Sequence, residues 1–382
     1  MGISNYTVRW RGGLGWGAFS LCLLVYPFVD RALNLQTLFA VTDAAVFVVL
    51  ALGLNIVVGY AGLLDLGYAA FFAIGAYTTG ILTWPPHGLE WNFWVVMWVG
   101  VAIAALFGIL IGGPSIRARG DYLAIITLAF GEIIPIAFRN LWDVNISIGN
   151  WVLVKNFNLT NGPLGLNPVG RPRIFGFEFG FDPFPWYYLI LAIGVLVIFA
   201  SHRLEDSRLG RAWIAIREDE TAATCMGIDP VKTKLLAFAL GASFSGFAGA
   251  FYAAKLQAIF PELFRFQVSV MILCMVILGG MGNIKGVILG GMFIMFFDRV
   301  ILAQSTQLVR AVGQMLNFPP LARVDLQLWR WFFFGATLIT VMVLKPEGLL
   351  PSTTRKAELR GAMDNPELGE ERMKSRSAGE GA

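Results

Sequence analysis

The chain has 382 residues, of which 57% are hydrophobic and 14% are charged, and its mean hydropathy is +0.67. Soluble domains average about 45 to 50% apolar and about 25% charged residues, so this composition argues against a water-soluble fold. Three scattered cysteines and two histidines predict neither a disulfide framework nor a zinc site. The net charge of +4 comes from cations at the ends of apolar blocks, which membrane topology explains without any nucleic-acid partner.

Apolar blocks close to the length of about 20 residues that a helix needs to cross a bilayer follow one another along the chain. The predicted spans are 14–29, 35–58, 62–84, 93–113, 122–138, 186–201, 235–256, 268–282, 286–303 and 329–344. The predicted fold class is therefore an all-α integral membrane protein, a polytopic helical bundle of about ten transmembrane helices.

The segments outside these blocks predict how the chain is organised. Residues 1–13 form a short N-terminal segment, 14–350 the transmembrane domain, and 351–382 a charged tail that we expect to be disordered. Within the domain, 141–185 is predicted to be an ordered external loop and 203–233 a cytoplasmic loop. Most of the 29 Lys and Arg residues fall on the side of the two termini, so the positive-inside rule predicts that both termini are cytoplasmic.

A glycine-rich run with a carboxylate, NIVVGYAGLLDLGYAAFFAIGAY, begins at Asn55 and extends through the third block. Glycines let helices approach closely, and broken helices with glycine and a polar side chain line substrate paths in transporters. A charged group costs about 2.5 to 3.5 kcal/mol at the centre of a membrane helix, so Asp65 predicts a partner or a pathway unless it lies at the interface. Asp65 and Gly67 are therefore candidate substrate-pathway residues, and helix packing is the alternative for the glycines.

A second constellation, RARGDYLAIITLAFGEI, places Glu132 about 16 Å deeper in the membrane than Asp121, at 1.5 Å per residue. This depth corresponds to the middle of the bilayer. Glu132 is therefore a candidate pathway residue, or one member of a structural ion pair between helices. Asp43 and Asp298 are similar but weaker cases.

A second glycine-rich run, LGGMGNIKGVILGG, lies between two spans and loosely echoes the first run. Paired interrupted segments can mark an internal repeat around a binding site, which makes Gly279 and Gly280 candidate pathway residues. Glycine packing at a tight turn is the alternative interpretation.

The loop SRLGRAWIAIREDETAATCMGIDP carries helix start and stop signals, with an N-cap at Asp206 or Ser207 and Gly227 followed by Pro230. One predicted helix face is apolar at first and then small or charged: Leu209, Ala212, Trp213, Ile216, Glu220, Ala223 and Gly227. This pattern suits either a solvated amphipathic connector or a helix that inserts into the groove of a partner.

Together these motifs resemble the M-type permease subunit of bacterial high-affinity branched-chain amino-acid ABC importers. The resemblance covers about residues 35–351 through GLLDLGYAAFFAIGAYT, RGDYLAIITLAFGEI, TNGPLGL, LGRAWIAIREDETAATCMGI, LAFALGASFSGFAGAFYA, VILGGMGNIKGVILGG and KPEGLLP. It implies a multi-pass permease of the bacterial inner membrane. The implied partners are a second, related permease subunit, two cytoplasmic ATP-binding subunits, a periplasmic substrate-binding protein and the lipid bilayer.

The resemblance also identifies the loop after Ser207 with the coupling helix of ABC importers, whose general pattern is Glu-Ala-Ala, three residues, then Gly. Ala222, Ala223 and Gly227 match this pattern, whereas Thr221 stands at the position of the Glu and Glu220 is one place early. The implied ATPase-coupling residues are Leu209, Trp213, Ile216, Glu220, Ala222, Ala223 and Gly227.

The sequence contains no GxxxxGK[ST] motif, so we expect the chain to hold no cofactor and to be no enzyme, with ATP bound by a partner subunit. The expected function is translocation of Leu, Ile and Val into the cell. Alternatives are an ABC permease for urea or short amides and an ion-coupled secondary transporter with Asp65 and Glu132 as relays. A membrane enzyme is disfavoured, because no HExxH or GxSxG motif occurs.

Overall fold

The computed structural model of the chain describes residues 13–33, 37–116, 121–148, 151–174, 176–315, 325–345 and 348–350. Most of the N-terminal segment 1–13, the first four residues of the RARGDYLAIITLAFGEI motif (117–120) and the tail 351–382 lie outside the described residues.

Helices make up most of the described chain. In chain order they are α1 (Gly13–Leu33), α2 (Leu38–Leu54), α3 (Tyr68–Thr83), α4 (Phe93–Ile116), α5 (Asp121–Asn140), α6 (Pro183–Glu205), α7 (Arg208–Glu218), α8 (Glu220–Cys225), α9 (Pro230–Leu256), α10 (Phe266–Gly279), α11 (Ile284–Phe296), α12 (Leu302–Met315) and α13 (Arg330–Leu344). A π-helical turn continues α2 (Asn55–Tyr60), and another joins α11 to α12 (Phe297–Ile301). Short 3-10 turns occur at Pro85–His87, Gly162–Leu164, Pro261–Phe264 and Leu326–Trp329.

Eight helical segments within the described ranges are long and apolar enough to cross a membrane, and α3 is a shorter apolar helix. These segments and α1 coincide with the blocks predicted from the sequence. The prediction of a polytopic all-α membrane protein is therefore confirmed. The block predicted over 62–84 differs in one respect, because its helix begins only at Tyr68.

The segment 141–185 contains two small β-ribbons that hydropathy did not indicate. Strands β1 (Val144–Ile148) and β2 (Trp151–Phe157) pair antiparallel, as do β3 (Arg173–Ile174) and β4 (Phe177–Glu178). Leu166 and Ile259 exchange two backbone hydrogen bonds of 3.0 Å, which fix the segment to the chain that follows α9.

Helix α9 lies at the centre of the bundle and packs on α2, α3 and α4. Small residues on α9 make this possible, because they let helix backbones come into direct contact. A Cβ atom added to Gly249 would lie 2.5 Å from the carbonyl oxygen of Phe72 and 2.7 Å from the amide nitrogen of Ala76. The α3–α9 contact therefore leaves no room for a side chain at Gly249.

Charged side chains from four elements form a network around the end of α9. The Nζ atom of the buried Lys255 lies 2.6 Å from Asp43 Oδ1 on α2, and Arg299 Nη2 lies 3.4 Å from Asp43 Oδ2. Asp298 Oδ2 lies 3.8 Å from Arg299 Nε, and Asp298 Oδ1 lies 3.5 Å from Arg330 Nε, without hydrogen-bond geometry in the latter pair. Each buried charge of this network thus has a partner of opposite sign, which offsets the cost of its burial.

Replacing Gly249 with Ala should push α3 and α9 apart, because the atoms that the new methyl group meets belong to the backbone and cannot rotate away. Overpacking of this kind costs about 1 to 3 kcal/mol, so we expect a lower melting temperature in detergent and less protein in the membrane. The matched control is Gly194→Ala on α6, where a Cβ meets nothing within 4 Å and should not destabilise the protein. Equal stability of the two variants would contradict this account.

Candidate functional site

The chain leaves helical structure between α2 and α3, over residues 61–67, which we call the α2–α3 break. Gly62 has a φ of +69°, a left-handed conformation that favours glycine and ends the right-handed helix. Within the break, Asp65 is 1% exposed, and its Oδ1 accepts a hydrogen bond of 2.9 Å from the amide of Gly67. Asp65 Oδ2 has no hydrogen-bond partner among the described residues.

An unpaired carboxylate oxygen is costly to bury, so Asp65 Oδ2 is suited to receive a donor or a cation from a ligand. Two further contacts fix the start of α3 beside the Asp65 carboxylate. The amide of Ala69 donates to Ser269 Oγ on α10 at 2.8 Å, and Tyr68 Oη donates to the carbonyl of Gly241 on α9 at 2.8 Å. The Asp65 carboxylate therefore lies in a fixed polar setting within an apolar bundle.

Helix α5 packs directly on the α2–α3 break. The amide of Leu66 donates to Thr127 Oγ1 at 3.1 Å, and a Cβ on Gly131 would lie 2.9 Å from Gly67 Cα. Glu132 follows Gly131 in sequence, but its side chain is exposed on the outer face of α5. Within the described ranges the structure shows no ion pair or hydrogen bond of Glu132, so an ion pair between described residues does not account for its position.

The other predicted pathway glycines lie at the turn between α10 and α11. A Cβ on Gly290 would lie 2.7 Å from Gly279 Cα, and a Cβ on Gly348 would lie 2.6 Å from Gly280 Cα, so both serve close backbone packing. Gly279 is also about 15 Å along α10 from Ser269, which contacts the start of α3. The structure does not bring Gly279 and Gly280 together with Asp65.

The two glycine-rich runs nevertheless meet, through a residue that the sequence analysis did not select. Asn55 Oδ1, on the first residue of the π turn that ends α2, accepts a hydrogen bond of 2.9 Å from the amide of Gly282. Asn55 is 1% exposed, and a single amide side chain inside an apolar block was the signal that could have identified it.

The loop predicted as one capped helix from Ser207 to Gly227 is two helices, α7 and α8. Ser207 is the N-cap, and its Oγ accepts from the amide of Gly210 at 3.2 Å. Asp219 interrupts the helix in an extended conformation, and its carboxylate caps α8 by accepting from the amide of Ala222 at 2.9 Å. Capping by an aspartate competes with helix continuation, which the apolar periodicity alone did not reveal.

Four of the predicted coupling residues contact this chain itself. Trp213 is fully buried, and its Nε1 donates to the carbonyl of Thr233 on α9 at 2.7 Å. Ile216 is buried and Leu209 is partly buried against the core. Glu220 Oε2 lies 2.7 Å from Lys234 Nζ on α9. These side chains anchor α7 and the start of α8 to the helical bundle.

The remaining coupling residues lie on α8 and the turn after it. Ala223 is buried, whereas Ala222 and Gly227 are exposed, and the space around Gly227 is open. Met226, which the sequence analysis did not select, is 83% exposed beside them. We call Ala222, Met226 and Gly227 the α8 tip. The α8 tip is thus the part of the predicted coupling pattern that is accessible to a partner.

After the α8 tip, α9 begins with another capped start. The carboxylate of Asp229 accepts from the amide of Lys232 at 3.1 Å, and this bond holds the pKa of the Asp229 carboxyl below its usual value. Aspartate caps therefore fix the start of α8, before the α8 tip, and the start of α9, after it.

A membrane-spanning bundle with a broken helix, a buried carboxylate and an anchored helical loop defines a multi-pass transport permease. The sequence matches the family described as branched-chain amino acid transport system / permease component over residues 36–342. The chain therefore belongs to this family, and it is a multi-pass protein of the inner membrane.

Several curated relatives have the same description. The chain is 35% identical over 368 residues to the high-affinity branched-chain amino acid transport system permease protein LivM of Escherichia coli, covering 90% of this chain and 76% of the relative. The LivM of Salmonella typhimurium is 36% identical over 341 residues, covering 84% and 71%. The permease protein LivH of Escherichia coli is 25% identical over 282 residues, covering 68% and 83%. No solved structure matches the chain.

Replacing Asp65 with Asn keeps the acceptor for the amide of Gly67 and removes the charge at Oδ2. If the carboxylate binds a charged group of the ligand, losing that bond should lower labelled-leucine uptake about tenfold or more without changing membrane abundance. The matched control is Asp182→Asn, because asparagine caps α6 as well as aspartate does. Uptake at the level of the control would remove Asp65 from the pathway.

Proposed function

We propose that this chain is the membrane permease subunit of an ATP-binding-cassette importer that carries Leu, Ile and Val into the cell. The single observation that carries the proposal is 35% identity over 90% of the chain to a high-affinity branched-chain amino acid permease. That similarity favours branched-chain amino acids over urea or short amides. The α8 tip supports the ABC mechanism over an ion-coupled transporter, because a secondary transporter needs no ATPase contact surface.

The α8 tip is proposed as the contact for one of two cytoplasmic ATP-binding subunits. Its exposed Met226 and small neighbours would fit a groove in the partner, in the manner of helix-in-groove recognition. Because the ATP-binding subunits are cytoplasmic, the proposed orientation of the chain has the 203–233 loop and both termini in the cytoplasm. The 141–185 segment is then on the periplasmic side. A periplasmic substrate-binding protein would deliver the substrate there.

The second permease subunit is proposed to cover the outer face of α5. Glu132 is exposed on this face between apolar neighbours such as Ile133 and Ile136, which are 54% exposed. A carboxylate facing lipid at this depth would cost about 2.5 to 3.5 kcal/mol or more, so a protein surface or an aqueous pathway is favoured there. The partner would be a paralogue, as LivH is related to this chain at 25% identity.

In this mechanism the chain binds no nucleotide or other cofactor, and ATP is bound and hydrolysed by the partner subunits. Their closure would displace the α8 tip and shift the permease pair between outward-open and inward-open states. The substrate is moved because the two states contact it differently, which requires positioned groups such as Asp65 but no catalytic residue.

Replacing Met226 with Glu, or Ala222 with Trp, should detach the ATP-binding subunit, because both side chains are exposed on the α8 tip. We expect the ATPase to be lost from the purified complex and uptake to fall about tenfold or more, while the permease still accumulates in the membrane. The measurement is copurification of the ATPase together with substrate-stimulated ATP hydrolysis in liposomes.

The matched control for this experiment is Met315→Glu, since Met315 is 88% exposed at the end of α12, on the side predicted to face away from the ATPase. This variant should retain the ATPase. Normal retention in both α8-tip variants would remove the loop from the mechanism and favour the ion-coupled transporter.

Replacing Glu132 with Gln keeps the shape of the side chain and removes its charge. If Glu132 lines the pathway between the two permease subunits, uptake should fall while the second permease subunit still copurifies. The control is Glu90→Gln, which removes a charge from an exposed loop position. Loss of the second subunit would instead make Glu132 part of a subunit-interface ion pair, and unchanged uptake would exclude both roles.

A further inference from the structure

One side chain of α7 reaches the α2–α3 break directly. Arg217 Nη1 donates a hydrogen bond of 2.5 Å to the carbonyl oxygen of Gly59, in the π turn that ends α2. The aliphatic part of the Arg217 side chain lies against Gly62, where a Cβ would be 3.1 Å from Arg217 Cδ. Any side chain at position 62 would displace the arginine, so the contact depends on glycine there.

The position of the guanidinium group has a clear electrostatic reason. The last carbonyls of a helix have no intrahelical partner and carry the negative end of the helix dipole. Arg217 supplies a positive donor to one of these carbonyls from another part of the chain. It therefore stabilises the end of α2 at the point where the chain leaves the helix and turns toward Asp65.

The contact also joins the α7–α8 loop to the end of α2. Trp213 and Ile216 hold α7 against the bundle, and the Glu220–Lys234 ion pair of 2.7 Å holds the start of α8 to α9. The α8 tip is exposed at the end of the same loop. A displacement of the α8 tip would thus be carried through α7 to the guanidinium group of Arg217, and from there to Gly59.

We propose that Arg217 is the positioning residue through which movement of α7 and α8 changes the conformation of the α2–α3 break. This inference rests on the proposed function, because the movement is driven by an ATP-binding subunit on the α8 tip. It goes further by naming the bond that connects the ATPase contact to the buried carboxylate of Asp65. Arg217 contacts neither substrate nor nucleotide in this account, and its effect is transmitted through the α2–α3 break.

The test uses a thiol reporter in the assembled complex. Leu64 in the break is 38% exposed, so Leu64→Cys gives a thiol there, in a background where Cys22 and Cys225 are replaced by Ser. The rate of maleimide labelling is measured with and without ATP in proteoliposomes that contain the ATP-binding subunits and substrate-loaded binding protein. Uptake per ATP hydrolysed and copurification of the ATPase are measured on the same samples.

Arg217→Ala should abolish the ATP-dependent change in labelling and lower uptake per ATP about tenfold or more, while the ATPase still copurifies. The matched control is Arg211→Ala on the same helix, because Arg211 Nη1 bonds only to the nearby carbonyl of Asp206, at 2.8 Å, in the contacts described. This control should keep both the ATP-dependent change in labelling and the coupling ratio, which is the uptake per ATP hydrolysed. A purely structural role of Arg217 would lower abundance without changing that ratio.

The outcomes separate this inference from the proposed function. If the ATPase fails to copurify with the unmodified chain, the proposed function is wrong. If it copurifies and Arg217→Ala behaves like Arg211→Ala, the positioning role is wrong. If Arg217→Ala does not accumulate, Arg217→Lys and Arg217→Gln are tested instead, because both retain part of the aliphatic stem over Gly62. A full ATP-dependent labelling change in both would likewise overturn the inference, and a reduced change that is larger in the lysine variant would support it.

Discussion

The end of α2 is held by two hydrogen bonds from distant parts of the chain, and the rest of the site depends on them. Gly282 donates to the side chain of Asn55, and Arg217 donates to the carbonyl of Gly59. A helix can stop inside an apolar bundle only if the polar backbone groups that it frees find partners. Arg217 is such a partner for the carbonyl of Gly59, whereas the Asn55 bond satisfies the amide of Gly282 and joins the end of α2 to the turn between α10 and α11. The chain then leaves the helix and carries Asp65 into the interior. The α7 helix and the second glycine-rich run thus meet the first run at one point.

The central position of α9 follows from the same requirement for close approach. Its glycines allow α3 to pack with its backbone in contact at Gly249, so the start of α3 is held rigidly beside the break. At the C-terminal end of α9, Lys255 joins α2 through Asp43. Glycine packing and a buried ion pair therefore fix the helix on which both Tyr68 and Trp213 find their acceptors, Gly241 and Thr233.

The helices and the family were predictable from the sequence. Apolar blocks of membrane-spanning length and several long motifs extend over many residues, so a local irregularity of the backbone does not obscure them. The resemblance to branched-chain amino-acid permeases is confirmed by the family match over 36–342. The sequence analysis raised a broken helix at Asp65 and Gly67 but began the third span at residue 62, because average hydropathy stays high where Gly62 turns the chain and Asp65 is buried. The face of α5 that carries Glu132 was not predicted, because the sequence analysis located this residue only by its depth along the helix.

The α8 tip shows a further limit of reasoning from sequence. The coupling-helix pattern selected Ala223 together with Ala222 and Gly227, but in the structure a second helix begins at the Asp219 cap, Ala223 is buried and Met226 is exposed. A cap is a local hydrogen bond that a motif of small residues does not encode. Arg217 lies next to the interruption between α7 and α8, because α7 ends at Glu218.

The π turn at the end of α2 has a geometric consequence. A π turn holds one residue more than an α turn, so it is an insertion of a single residue stored in the helix. If the extra residue moves along the helix, the residues between its old and new positions rotate by about 100° about the axis, without loss of the helix. Such a rotation would turn Asn55 away from Gly282. The π turn at Phe297–Ile301 would allow Asp298 to rotate about its helix axis in the same way. Such a rotation is therefore possible at both π turns.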